Sequence, residues 1–346
     1  MRRIALVCED LSVPLDEGFK KASARIAGAL ADLGHQVSVY THHPARSAVI
    51  SLDLPRNKLL RGRAFAASLR ACSPDFILYI PKAAATPGSM LRARSLRSQA
   101  RGAPVALLSL QYRVYSTLAH LFLKLIRPDL LLVLSTERLT TMTAMGFKAS
   151  RIPLGVDTEI FRPPEPGEKE ALRAKYGVGK DKIILHVGHL SAGRNLGFLN
   201  KLPAEGVKVA IVTSTSTVPE PEIRAMLEKP SVTLIETFIE NIAEVYKLAD
   251  AYAFPTLSDM DAIEIPLSVL EAMAVNLPVV ATDFGGLPDL FTEGNGFFIC
   301  SSEDEFVDKA RQMLRLERVG TRQMVMGLSW NHVAETIMEA IESELL

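Results

Sequence analysis

Cysteine is scarce in this 346-residue chain, and the little there is excludes two architectures. Cys8, Cys72 and Cys300 are odd in number and far apart, so neither a disulfide framework nor a zinc-ligand spacing follows from them. Buried or free reduced thiols in a cytoplasmic protein are the plain expectation. Long apolar runs are missing too. No stretch approaches the ~18–20 residues of a membrane span. The apolar run after Arg2 and Arg3 ends at Cys8, where Glu9 and Asp10 interrupt it. That is too short for a signal peptide and suits a buried first strand. Aromatic residues make up only 6%, too sparse among the basic residues to suggest a nucleic-acid partner. Short-period repeats and low-complexity tracts are absent.

What is present is enough for two cores. The length exceeds one typical domain, and 48% of residues are hydrophobic. The formal net charge is zero, but it conceals a split. Residues 1–150 hold 21 Lys and Arg against 9 Asp and Glu, a balance of +12, and the remainder carries −12. One half is therefore suited to an anionic surface. Much of the excess lies in Arg56, Lys58, Arg61, Arg63 and Arg70, then Arg92, Arg94, Arg97 and Arg101. Leu and Ala interleave with them, as on a basic amphipathic helix. A solvated basic face and a membrane-surface face both fit this pattern.

The apolar pattern alternates strand and helix. Residues 4–8 read as a strand, 19–33 as an amphipathic helix stopped by Gly34, and 37–40 as the next strand. This opening implies a parallel sheet. Strand-like runs follow at 76–80, 105–108 and 130–134, and after a break at 183–187, 207–212, 232–235, 251–254 and 278–281. The break is the Pro- and Gly-rich stretch 151–167. Two doubly wound α/β domains fit better than one sheet. Facing each other, they would form a cleft, with ligands at the carboxyl ends of the strands. The last segment, 331–346, is expected to be helical.

Three stretches carry chemistry. In the first, His186 to Asn195, a buried strand ends in a loop containing Gly188 and His189, and a helix is expected near Asn195. Backbone N–H groups at such a turn receive phosphate oxygens. Arg194 could clamp a diphosphate through two parallel hydrogen bonds. His186, on the strand itself, reads as a core or lining histidine. In the second, Pro266 suits a first helical position, and Glu271 stands beside the apolar face formed by Leu267, Leu270 and Met273. A carboxylate there needs a partner: a ligand such as a ribose diol, or a salt bridge. In the third, Gly285 and Gly286 follow a strand and either admit a ligand close to the backbone or form a plain tight turn.

In this order and spacing these stretches resemble the C-terminal domain of GT-B glycosyltransferases, specifically the retaining family 4. Three further stretches agree: Ile152 to Pro163, Ala249 to Thr256, and Leu328-Ser329-Trp330. The first half is less similar, with Gly34-His35-Gln36-Val37 as its clearest match. The resemblance implies an N-terminal acceptor-side Rossmann-like domain over 1–152 and a nucleotide-sugar donor domain over 153–328. It also implies a closing helix, 329–346, that crosses back to the first domain. It implies sugar transfer from a nucleotide diphosphate with retention, no cofactor and no metal. Arg194 takes the diphosphate, Glu271 the ribose, and Gly285 and Gly286 the loop beside the donor; Gly188, His189 and Asn195 complete the donor site.

The pattern is broken on the sugar side. Ile263 stands where the family's first motif Glu contacts the donor sugar; Glu264, Asp259 or Asp261 could take that part, and Glu264 is the catalytic candidate. His189 replaces an Arg, with a charge that depends on pH. The first-loop glycine pair is reduced to Glu17-Gly18, which leaves Gly18 as the substrate-binding glycine. Lys20 and Lys21 follow, near phosphate or on a solvated helix face. The first-domain His that the family often has near the donor sugar is missing from Ser109 to Arg113, and His120 is too distant to replace it. The expected protein is a cytoplasmic glycosyltransferase, free or peripheral on the inner membrane face, with a glycan or lipid acceptor. The alternative is a non-catalytic nucleotide-sugar-binding protein or partner subunit.

Overall fold

The computed structural model describes residues 1–42, 51–82, 84–111, 113–115, 123 and 125–346. They divide into two compact units. Unit 1 comprises Met1–Leu154, Ile263–Ile265 and Trp330–Leu346; unit 2 comprises Gly155–Ala262 and Pro266–Ser329.

The sheet of unit 1 contains β1 (Arg3–Cys8), β2 (Gln36–Thr41), β3 (Ser51–Asp53), β4 (Phe76–Ile80), β5 (Val105–Leu108), β6 (Leu130–Val133) and β7 (Ala149–Arg151). Its order is β3-β2-β1-β4-β5-β6-β7, and every ladder is parallel. The continuous apolar runs have a physical reason. β4, β5 and β6 are buried at every residue, as in parallel sheets with helices on both faces. Helix α1 (Gly18–Asp32) ends where Gly34 turns left-handed at φ 82° and donates its N–H to Ala31. α2 spans Arg63–Cys72 and α3 Pro87–Gln99. Thr86 caps α3 reciprocally with Ser89, and Pro87 fills the first helical position. The closing helix Trp330–Glu344 packs on α1. Its Val333, Ile337 and Ile341 form a buried stripe at helical spacing.

Unit 2 repeats the scheme with β8 (Lys182–Val187), β9 (Val207–Val212), β10 (Val232–Ile235), β11 (Ala251–Phe254), β12 (Val279–Thr282) and β13 (Phe297–Cys300). The order is β10-β9-β8-β11-β12-β13, again parallel. The Pro- and Gly-rich stretch after Arg151 carries no helix or strand until Glu168. Arg322 ties it down by donating to the carbonyls of Thr158 and Phe161.

Several expectations need correction. β3, β7 and β13 were not foreseen. The basic run does not lie on one helix: Arg63 and Arg70 are on α2, Arg92, Arg94 and Arg97 on α3, and Arg56, Lys58, Arg61 and Arg101 in loops. Arg92 turns inward to Glu9 at 2.6 Å. Lys20 is not on a solvated face; it is 3% exposed, and its ammonium donates to Ser12 Oγ at 3.0 Å. The segment Ile263–Ile265 counts with unit 1 because the Glu264 N–H donates to the Leu110 carbonyl at 2.8 Å. All three cysteines are free thiols, and burial pushes Cys8 up to about 12. No helix of the described residues is long and apolar enough to cross a membrane.

Ile337 is fully buried in the closing helix. Ile337→Ala is expected to cost about 2–5 kcal/mol. A urea-denaturation midpoint equal to that of the parent would contradict this packing.

Candidate functional site

β8 and β11 are neighbours in the middle of the second sheet, where strand order reverses. In doubly wound sheets the loops after such a pair diverge and leave room for a ligand. β8 carries His186, which is fully buried. Its Nδ1 lies 2.9 Å from the Ala253 carbonyl, which can only accept, so Nδ1 bears the proton. Nε2 is then an acceptor, and it has no hydrogen-bond partner among the described residues. Burial, reinforced by the nearby Arg194 cation, pushes this imidazole down to about 3. His186 is thus a neutral core histidine.

Gly188 follows. A Cβ placed there would stand 2.8 Å from Arg194 Nη1 and 2.9 Å from His186 Nε2. Only glycine allows both groups so near the backbone. His189 is half-buried. The expected helix at Asn195 is not formed. Asn195 adopts φ 52° and ψ 39°, which separates two short 3-10 turns, Ala192–Arg194 and Leu196–Lys201. No regular helix dipole arises there, so positive charge in this loop depends on Arg194 itself. Asn195 Nδ2 is buried with no hydrogen-bond partner among the described residues.

Arg194 is only 7% exposed. Among the described residues its guanidinium makes no hydrogen bond or ion pair, and Nε is fully shielded from solvent. Burial lowers its proton affinity, while Tyr252 and Asp261 act in the opposite sense. Asp261 also shapes the loop. A Cβ on Gly193 would overlap Asp261 Oδ2 at 1.9 Å, so a side chain at position 193 would displace this carboxylate. Ser191 Oγ donates to Asp261 Oδ1 at 3.3 Å, and the Ala192 N–H donates to Glu220 Oε2 at 3.1 Å. Two carboxylates therefore hold the loop, while among the described residues the arginine inside it has none within ion-pair distance. Nothing in the sequence singled out Gly193 or Glu220.

Glu271 lies on the buried helix Leu267–Ala274 and is 5% exposed. Pro266 caps this helix rather than beginning it. Tyr246 Oη donates to Glu271 Oε2 at 2.8 Å. Burial, with the carboxylate beside it, pushes the Tyr246 phenol well above its ordinary range. Tyr246 escaped sequence reasoning because it sits in an apolar helical pattern and reads as core. Gly285 has φ 55°, a conformation that favours glycine, and Gly286 precedes the short helix Leu287–Leu290.

Gly18 and Glu264 belong to unit 1. Gly18 opens α1, and a Cβ there would meet Ile263 Cδ1 at 3.0 Å. Ile263 is 7% exposed. Glu264 is 2% exposed, and Ser135 Oγ donates to its Oε2 at 2.7 Å. Gly188, His189, Arg194, Asn195, Glu271, Gly285 and Gly286 belong to unit 2. His120 lies outside the described residues. Among the described residues, no group of three or more His, Cys, Asp or Glu is placed to hold a metal ion.

Residues 181–316 match the family model of glycosyl transferases group 1. This segment is similar to that family. It contains the Arg194 loop, Glu271 and the Gly285–Gly286 turn. The chain is 29% identical over 223 residues to a D-inositol 3-phosphate glycosyltransferase of Nocardia farcinica, covering 56% of this chain and 47% of that one. It is 28% identical over 169 residues to the sulfoquinovosyl transferase SQD2 of Arabidopsis thaliana, covering 46% and 32%. The chain spans about half the length of the curated relatives it matches. Among solved structures, Anabaena Alr3699/HepE in complex with UDP and glucose has a TM-score of 0.74 at 15% identity, covering 99% of this chain and 100% of that one. A glycosyltransferase from Rickettsia africae has a TM-score of 0.79 at 14% identity, covering 99% of each chain. At such identities the likeness concerns the fold, which is of the GT-B type with two Rossmann-like units.

Two expected outcomes follow from the geometry around Gly188. Gly188→Ala should displace Arg194 and His186; a crystal structure of the variant with both side chains unmoved would refute the contact. Unfolded, the His186 imidazole takes its proton near 6.5, and folded only near 3. Between those values the unfolded chain binds more protons, so this residue's contribution to stability falls as pH drops. His186→Gln should flatten the loss of denaturant midpoint between about pH 7 and pH 5. An unaltered slope would contradict the buried neutral imidazole.

Proposed function

We propose that this chain is a retaining glycosyltransferase that binds a nucleotide-diphosphate sugar in unit 2 and delivers the sugar to a glycan or lipid acceptor on the side of unit 1. The observation that carries this reading is the Arg194 guanidinium, buried and without an ion-pair partner among the described residues. A buried cation is costly unless it is paired, and a diphosphate offers two anionic groups for the guanidinium fork. Neutral His186 adds no competing positive charge beside it. The half-buried His189 and the amide of Asn195 supply further polar contacts to the donor. Glu271, oriented by Tyr246, accepts from the ribose hydroxyls. Gly285 and Gly286 bring backbone close to the donor.

In the reaction Arg194 stabilises the negative charge that develops on the departing diphosphate. The acceptor attacks from the face the diphosphate leaves, so no protein nucleophile is required, and neither cofactor nor metal takes part. Glu264 serves the reacting sugar, and Gly18 allows close backbone approach. Of the three carboxylates near Ile263 in the sequence, Glu264 alone is buried, whereas Asp259 is exposed and Asp261 half-buried. The basic first half is consistent with a cytoplasmic protein held peripherally at an anionic membrane face.

A panel of UDP-, GDP- and ADP-sugars tests the activity. Slow donor hydrolysis is expected for at least one. Nucleotide binding without hydrolysis or transfer would favour a non-catalytic binding protein instead. Arg194→Ala should weaken nucleoside-diphosphate binding at least tenfold, about 1.4 kcal/mol. Unchanged affinity in titration calorimetry would remove Arg194 from the diphosphate site.

A further inference from the structure

A concavity of about 550 Å³ in unit 1 is lined by Arg94, Arg97, Arg101 and Arg127, with Asp129 as its one carboxylate. Four guanidinium groups against one carboxylate leave a local surplus of three positive charges. Three of the arginines are tied in place from one side. Arg94 donates to the Leu125 carbonyl, Arg97 to Asp129, and Arg127 to the Gly146 carbonyl. Such bonds orient a guanidinium without neutralising it, except at Arg97. Asp129 is further occupied by the Val105 N–H at 2.9 Å.

Arg101 is the unusual member. Among the described residues its side chain has no hydrogen bond or ion pair. Its backbone adopts φ 55°, and Gly102 beside it adopts φ 96°. The end of α3 requires this turn, because Gly102 N–H closes onto the Arg97 carbonyl at 2.9 Å. It does not require arginine at position 101, where a glycine or asparagine suits the backbone better. A helix C-terminus attracts a cation, but Arg97 in the last turn already meets that demand. Three further arginines around one hollow exceed it.

The hollow also has a definite place in the fold. Val105 opens β5, and Asp129 stands just before β6. It therefore lies at the amino ends of these strands, the edge opposite the one where doubly wound sheets take their substrates. We propose that it is a separate binding site for a phosphate-bearing anion, held by the four guanidinium groups. The volume leaves room for an organic group beyond the phosphate. Leu125, 70% exposed, adds an apolar contact to the lining. A phospholipid headgroup and a soluble phosphate ester present the same chemistry to these arginines.

The test uses the full chain, the R101Q and R94Q/R101Q variants, and R194A as a control for the donor site. Sedimentation with vesicles of phosphatidylglycerol and phosphatidylcholine, against phosphatidylcholine alone, probes the headgroup. Calorimetric titration with glycerol 3-phosphate probes the soluble ester. At least one probe should bind the parent chain, more weakly at high salt. R94Q/R101Q should lower that affinity about tenfold or more, and R194A should leave it unchanged. R101Q should weaken it in the same direction; because the Arg101 side chain makes no hydrogen bond or ion pair among the described residues, that variant keeps the parent melting temperature. Binding of vesicles alone assigns the site to a lipid headgroup, and binding of the ester alone assigns it to a soluble ligand. The proposal is overturned if neither probe binds the parent chain, if R94Q/R101Q and R101Q bind as the parent does, or if the loss follows R194A instead.

Discussion

A buried guanidinium with no ion-pair partner among the described residues is the constraint on which the arrangement of unit 2 turns. Arg194 is held near the end of β8 by a loop in which nearly every neighbour has a reason to be what it is. Gly188 leaves space for its head, and Gly193 makes way for Asp261. His186 stays neutral, so two cations do not crowd one buried place. The carboxylates that could quench the arginine are used elsewhere: Asp261 on Ser191, Glu220 on a backbone amide, Glu271 on Tyr246. Neutralisation of such a charge by an anionic ligand is what the proposed function assigns to Arg194.

The departure on the sugar side is a matter of packing as well as of motif. Ile263 fills the space next to the Gly18 backbone, and Glu264 is turned to Ser135. A larger residue at Gly18 would meet Ile263, so the two positions are coupled by contact. The nucleotide-binding features and the sugar-side features of the resemblance thus stand differently. The former rest on residues of unit 2, among them the buried Arg194 and Glu271. The latter rest on a three-residue segment that belongs to the packing of unit 1.

Much of the fold was legible because fully buried parallel strands are continuous apolar runs between polar loops. β4, β5, β9, β10 and β11 coincide with the sequence reading, β1, β6 and β8 differ by a residue at one end, and β2 and β12 by a residue at each end. β3 and β7 were not legible: three residues show no period, and both are edge strands. Ile263–Ile265 could not be placed from sequence, because its place depends on a backbone bond to Leu110, far away along the chain. Asn195 is a residue type that tolerates a left-handed turn, but the surrounding pattern did not mark one there, and Lys20 gave no sign of its partner Ser12. In the candidate site, Arg194 and Glu271 were legible as residue types in a spacing. Their burial was not, and neither were the groups that position them, Gly193, Asp261, Glu220 and Tyr246, whose roles depend on contacts between distant segments.

The most direct measurement is a crystal structure of the chain with a bound nucleoside diphosphate. The account predicts diphosphate oxygens within about 2.7–3.2 Å of the Arg194 guanidinium, and the ribose hydroxyls on Glu271. A nucleotide bound elsewhere, with Arg194 still lacking an anionic partner, would contradict it.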